Sequence, residues 1–171
     1  VLSELRGIKE LVKSMEFIKG KTELWLLGRW EPESFKKKCE SLEGWKHTKY
    51  LGIVSLSEVY RYMKVASIGV AILCPVKNYL TSLPVKNFEY MTCKLPMVIS
   101  NFPYWKEIFK ECALFANPED PEDIADKINY LLENRHLMRK LSERGRQLIE
   151  SKYSWEMESM KLVKLYKEIE I

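Results

Sequence analysis

Two histidines and four cysteines are the whole stock of imidazole and thiol chemistry in these 171 residues, and they are scattered. Cys39, Cys74, Cys93 and Cys112 show no C-x-x-C spacing and no neighbouring histidine, which argues against a zinc site or a disulfide framework. Cys74 and Cys112 lie in or beside apolar runs and read as small core residues. His47 and His136 are isolated and read as structural or solvated. No apolar run approaches the ~20 residues that cross a bilayer. The first residues lack the charged and apolar regions of a secretory leader, so the cytoplasm is the expected location. A G-x-G-x-x-G between strand and helix is absent, which disfavours a dinucleotide oxidoreductase. The early strands lack a carboxylate cluster, which disfavours a phosphoacceptor signalling domain. There is no basic arm and no nucleic-acid-binding signature, so polymeric nucleic acid is not an expected partner. Twenty-eight basic against 24 acidic residues leave a net charge of +4, which permits an anionic ligand without demanding one.

What is present is a regular alternation. Ile8, Leu11, Val12, Met15 and Ile18 form the stripe of an amphipathic helix over residues 7–19. Leu24–Leu27 is a short apolar run closed by Gly28, followed by a helix through Phe35, Cys39 and Leu42 with Pro32 near its start. His47–Leu51 reads as a strand closed by Gly52, and Ser55 with Glu58 has the form of a capping box. Ser67–Leu73 is the most strand-like run, and further strands are expected at Pro96–Ser100 and Ala113–Phe115. Between those two a helix is expected around Tyr104–Phe109. Asp120–Asp123 opens a helix with acids in its first turn, and helices over 137–150 and from Trp155 to Ile169 follow. Buried strands spaced by single helices predict one α/β domain over residues 1–171, an open parallel sheet with helices on both faces and a helical C-terminal tail.

The segment Thr81–Met91, followed by Leu95–Ser100, reads as a polar loop, a short helix opened by Pro84, a tight connection and a buried strand. Proline fits an early helical position, where its missing N–H costs nothing. The free N–H groups around Ser82 and Leu83 and the helix dipole favour an anion there. Lys86 adds positive charge in a first turn that the dipole alone would fill with an acid, and Glu89 stands one turn on, able to accept from hydroxyls. Phosphate donors beside a carboxylate suggest a sugar nucleotide. In open parallel sheets ligands bind beyond the carboxyl ends of the strands, and Gly28-Arg29, Gly52-Ile53 and the loop 78–84 all fall on that rim. The bland readings are that Lys86 and Arg29 are solvated, that Thr81 and Ser82 cap the helix, and that Tyr79, Leu80, Trp45, Trp105 and Trp155 are packing residues.

With these residues in order, the chain resembles the C-terminal, donor-binding half of glycosyltransferases with two Rossmann-like domains, the GT-B architecture, group 1 or family 4. Pro84-Val85-Lys86-Asn87-Phe88-Glu89-Tyr90-Met91 with Pro96–Ser100 is similar to the family's most specific signature. Leu2–Ile8 resembles its loop ending in Arg-Gly, Leu24–Gly28 its next strand and glycine turn, and Tyr50–Val54 the segment whose loop meets the base. Tyr153-Ser154-Trp155 and the closing helix resemble the last element, which reaches back toward the other domain.

The resemblance implies transfer of a hexosyl group from a UDP- or GDP-type sugar to an acceptor hydroxyl, with retention at the sugar carbon and no metal or other cofactor. It implies that Glu89 holds the nucleotide ribose hydroxyls, and that Arg6 neutralises the leaving diphosphate together with Lys86. Thr81, Ser82, Leu83, Pro84, Gly28, Gly52 and Ile53 would line the donor site. Two positions depart from the pattern. Thr81 stands where the family carries the first of two glutamates, and Val1 where it carries a second arginine. The strand expected before Val1 and the acceptor domain are absent from this chain, which therefore looks truncated and is expected to transfer little by itself. The resemblance further implies cell-envelope polysaccharide or glycolipid synthesis, with the whole enzyme at the inner face of a membrane. A non-catalytic nucleotide-sugar-binding module or partner subunit, and a sugar-nucleotide epimerase-like enzyme, remain as alternatives.

Overall fold

The computed structural model describes residues 1–169. Its strands are β1 Leu24–Leu27, β2 Thr48–Gly52, β3 Gly69–Ala71, β4 Met97–Ser100 and β5 Ala113–Ala116. Helices α1 Ile8–Ser14, α2 Glu33–Glu40, α3 Leu56–Val65, α4 Lys77–Leu80 and α5 Val85–Thr92 precede α6 Pro103–Phe109. Helices α7 Pro121–Glu133, α8 Arg135–Leu148 and α9 Trp155–Ile169 complete the chain, with a π-helical turn, Ile149–Tyr153, before α9. Every strand pair is parallel, and the ladder runs β1-β2 and, separately, β3-β4-β5.

β4 shows why such strands read as unbroken apolar runs. All its residues are buried, and alternate side chains serve opposite faces of the sheet. Val98 joins a core with Ile8, Val12, Phe35, Ile124 and Leu131, whereas Met97 and Ile99 join another with Met91, Trp105 and Phe109.

Caps fall where the sequence puts them. Ser55 accepts from the Glu58 N–H while the Glu58 carboxylate accepts from the Ser55 N–H, a complete capping box on α3. Asp120 accepts from the N–H groups of Glu122 and Asp123 at the head of α7, and Pro121 takes the first helical position.

Three elements differ from expectation. α1 stops at Ser14, short of residue 19, because Ser14 Oγ donates back to the Leu11 carbonyl at 2.8 Å and the chain tightens into i→i−3 turns. Asn129 of α7 then takes the Lys19 N–H and donates to the Phe17 carbonyl, each at 3.0 Å. β3 spans only Gly69–Ala71 of the expected Ser67–Leu73. Ser100 Oγ replaces its ladder: it accepts from Leu73 N at 2.8 Å and donates to Leu73 O at 3.1 Å. Part of the expected loop 78–84 is helical, as α4. Trp155, expected as a packing residue, is 71 % exposed on a helix with no buried member among the described residues.

Candidate functional site

α5 begins at Val85, so Pro84 stands just outside it as an extended N-cap residue rather than within the first turn. No side chain accepts a hydrogen bond from the head of α5, and its first turn carries no acid. Thr81 and Ser82 are therefore not its caps: Thr81 Oγ1 donates back to the Lys77 carbonyl of α4 at 3.4 Å. The loop is held from below instead. Trp105, fully buried in α6, donates its indole N–H to the Ser82 carbonyl at 2.7 Å. Trp105 is thus a packing residue, as expected, and also the anchor that sets the height of the loop.

Lys86 lies in that unacidified first turn, half-buried. Burial first and the Arg6 charge second lower its pKa to about 8, and no carboxylate acts to raise it. Arg6 ends a 3₁₀ turn, Glu4–Arg6, and makes no ion pair among the described residues, since Glu10 pairs instead with Lys9. Two cations therefore meet at the head of a helix without a counter-charge. Such an arrangement is costly in a protein alone and is relieved by an anion.

The Arg6 turn is fixed by backbone contact with the end of β3. Cys74 donates its N–H to the Leu5 carbonyl at 3.0 Å. Gly7 adopts φ +62°, and a Cβ there would fall 2.2 Å from the Ile72 carbonyl oxygen. Only glycine fits, because both the left-handed backbone and the close approach exclude a side chain.

Glu89 sits one turn beyond Lys86, half-buried, and accepts a hydrogen bond from the Tyr60 hydroxyl of α3 at 3.4 Å. The carboxylate raises the Tyr60 pKa by its charge first, with burial second. Asn87, between them in sequence, is fully buried with both amide atoms unpartnered.

The remaining rim comes together through backbone. Gly28 donates to the Gly52 carbonyl at 2.7 Å, and Tyr50 donates its hydroxyl to the Gly28 carbonyl at 3.0 Å. Gly52, at φ +77°, has nothing near its Cβ position, and Ile53 beside it is 75 % exposed, a free apolar edge. Arg29 is exposed and pairs with Glu31 at 3.3 Å. The Val1 amine links the two groups: after burial, the charges of Arg6, Arg29 and Lys86 depress its pKa. Among the described residues, no cluster of three or more His, Cys, Asp or Glu side chains is placed to hold a metal ion. The sequence marked Gly7 only as the end of an Arg-Gly loop, and it revealed neither the contact of Tyr60 with Glu89 nor the anchoring role of Trp105. An Arg-Gly ahead of a helix was the visible signal for the first, and the other two depend on contacts 29 and 23 residues apart.

A family model for glycosyl transferases, group 1, matches residues 1–148. The chain belongs to the group 1 glycosyltransferases. An uncharacterized glycosyltransferase of Methanocaldococcus jannaschii is 29 % identical over 125 residues, covering 72 % of this chain and 34 % of that protein. Anabaena HepE, solved in complex with UDP, superposes with a TM-score of 0.85 at 14 % identity, over 98 % of this chain and 46 % of the other. The C-terminal domain of the group 1 protein LpcC from Francisella tularensis gives 0.75 at 19 % identity, over 90 % and 84 %. This group 1 chain thus has the Rossmann-like α/β fold of GT-B glycosyltransferases, C-terminal domains among them, and spans about a third of the curated relative it matches.

Proposed function

We propose that this chain is the donor-binding domain of a transferase that moves a sugar from a nucleotide diphosphate sugar, of UDP or GDP type, to an acceptor hydroxyl. The observation that carries the reading is the uncompensated pair Arg6 and Lys86 at the uncapped head of α5. As the diphosphate departs, negative charge grows on it. Preorganised donors around that charge lower the barrier, each typically by ~10²–10³-fold in rate. Arg6, Lys86 and the N–H groups at the head of α5 supply them, so the reaction is proposed to proceed without a divalent metal. Glu89 would accept from ribose hydroxyls, and Gly52, with open space at its Cβ position, and the exposed Ile53 would offer an edge for a base, with Gly28 bonded behind them. That Anabaena HepE was solved with UDP supports the donor class.

The finer proposals are retention at the sugar carbon, an acceptor domain in a preceding region of the protein, and weak transfer by this chain alone, because a two-domain cleft has to close around the reactants. A role in cell-envelope polysaccharide or glycolipid synthesis, in the cytoplasm at the inner face of a membrane, belongs with them; no helix here is long and apolar enough to cross a membrane. Thr81 in place of a carboxylate favours one second reading, a module that binds nucleotide sugar without transferring it.

Calorimetric titration of UDP, GDP and their glucose or mannose conjugates against the wild-type chain and Glu89→Ala tests the site. The expected result is at least a tenfold loss of affinity for one nucleotide in the variant, the worth of charge-assisted hydrogen bonds to the ribose. Equal affinity would remove Glu89 from the site. No binding of any nucleotide by the wild-type chain would sink the donor-site reading itself.

A further inference from the structure

The carboxylate of Glu89 is held from two sides by the protein itself. Its backbone is set by the next residue. The Tyr90 ring packs on Gly69 of β3, where a Cβ would fall 2.6 Å from the ring, and its hydroxyl donates to the Val70 carbonyl at 3.2 Å. Both contacts seat α5 against the sheet, so the Glu89 backbone has a fixed place. Its side chain is set by α3 instead. The Tyr60 hydroxyl donates to Glu89 Oε1 at 3.4 Å, across 29 residues of sequence. Oε2 takes no hydrogen bond among the described residues, yet it is not one of the buried unpartnered atoms, and so it faces solvent.

Tyr60 is itself anchored. The Ser55–Glu58 capping box fixes the head of α3, and the Tyr62 ring meets Trp25 of β1 edge-on at 5.6 Å. Tyr60 stands between these two anchors, half-buried. The Glu89 charge first and burial second raise its pKa above the ordinary phenol value, so it remains a donor wherever the carboxylate is ionised. An ionised carboxylate offers about four acceptor positions, and the phenol takes one of them. One oxygen is thus tethered while the other is presented. A glutamate with free torsions loses rotamer freedom when a ligand fixes it; one already tethered loses less, and the ligand gains the difference. The segment Gly52–Val54 leads directly into the same capping box, so the exposed Ile53 edge and the Glu89 acceptor are both tied to α3.

We propose that Tyr60 is a positioning residue of the donor site: it aims the Glu89 carboxylate at the vicinal hydroxyls of a ribose, and so makes the site prefer a ribonucleotide to one lacking those hydroxyls. The proposal rests on the reading of Glu89 as the ribose acceptor. Tyr60 acts through the carboxylate alone. The ribose hydroxyls donate to Oε2 and to the acceptor position that Tyr60 leaves free on Oε1. A vicinal diol presents two donors at a set spacing. That spacing suits two oxygens held in one plane, and it suits a freely turning carboxylate less well.

The test is calorimetry with UDP and with 2′,3′-dideoxy-UDP on the full 171-residue chain, on Tyr60→Phe, on Glu89→Ala and on the double variant. Tyr60→Phe is expected to lower the preference for UDP over the dideoxy nucleotide by about three- to fivefold. Affinity for the dideoxy nucleotide and Tm should stay unchanged, and the substitution should add nothing in the Glu89→Ala background. An unchanged preference in Tyr60→Phe, or an equal loss for both nucleotides, would overturn the proposal. The two readings fail separately. If Glu89→Ala loses the preference and Tyr60→Phe keeps it, Tyr60 alone is removed; if Glu89→Ala keeps it, the ribose role of Glu89 falls as well. A measurement without nucleotide covers the contact itself. In a tyrosine NMR titration the Tyr60 hydroxyl is expected to titrate lower in Glu89→Ala than in the wild type, and the same pKa in both would break the link between the two residues.

Discussion

At the residue scale the site rests on Lys86, an ammonium held half-out of water beside Arg6 at a helix head. Its pKa of about 8 makes anion binding titratable in an accessible range. The sign follows from the charged form being the one an anion wants. Below pH 8 Lys86 is protonated in the free protein and binding needs no proton uptake. Above it, each pH unit removes about tenfold of the binding-competent form, until the ligand itself recruits a proton. The dissociation constant for UDP is therefore expected to change little up to about pH 7.5 and to rise by about fivefold between pH 8 and pH 9. In Lys86→Met, binding should be weaker at pH 7.5 and flat across the range. A wild-type profile as flat as the variant's would take Lys86 out of contact with phosphate. This residue was legible from its neighbours: a cation in the first turn of a short helix, with no acid, is an anomaly that the dipole argument exposes. Asn87 beside it was not legible, since an orphaned buried amide is a property of packing and leaves no mark in the sequence.

At the element scale, what the sequence reveals depends on how local the cause is. The capping box at Ser55 and the Asp120-Pro121 start of α7 are decided within four residues, and both form as the sequence predicts. The shortened β3 is decided by a distant partner, the Ser100 hydroxyl standing in for backbone at Leu73, and the turn after α1 is held by Asn129 reaching Lys19. No window of neighbouring residues contains either fact. The local rule makes a clean prediction. Ser55→Ala removes the acceptor for the Glu58 N–H and costs about 1 kcal/mol, a fall of about 2–4 °C in Tm for a domain of this size. Because α3 also presents Tyr60 to Glu89, calorimetric affinity for UDP should weaken by no more than a few-fold in the same variant. A Tm unchanged within error would mean that the α3 head is held by tertiary contact rather than by its cap.

At the scale of the whole molecule, a modest net charge of +4 is spread unevenly. The charges of Arg6, Arg29 and Lys86 all act on the Val1 amine at the carboxyl rim of the sheet, and Glu31 is the acid among the charges acting on it. A cavity between β1 and β3 opens instead toward the amino ends, where Gly20–Leu24, Lys46, His47 and Val65–Gly69 line it. Arg6 and Arg29 on the carboxyl rim are exposed, so their attraction for a diphosphate is screened by salt, with a Debye length of about 10 Å at 0.1 M and about 3 Å at 1 M. Affinity for UDP is accordingly expected to fall by roughly tenfold between about 0.05 M and 0.5 M sodium chloride. Uridine, which carries the base and ribose but no phosphate, should bind weakly and with almost no salt dependence. Calorimetry with both ligands at the two salt concentrations separates the charges from the rest of the pocket. If UDP lost no affinity, its phosphates would have to lie somewhere other than between Arg6 and Lys86. Equal salt dependence for UDP and uridine would point instead to the protein changing with ionic strength.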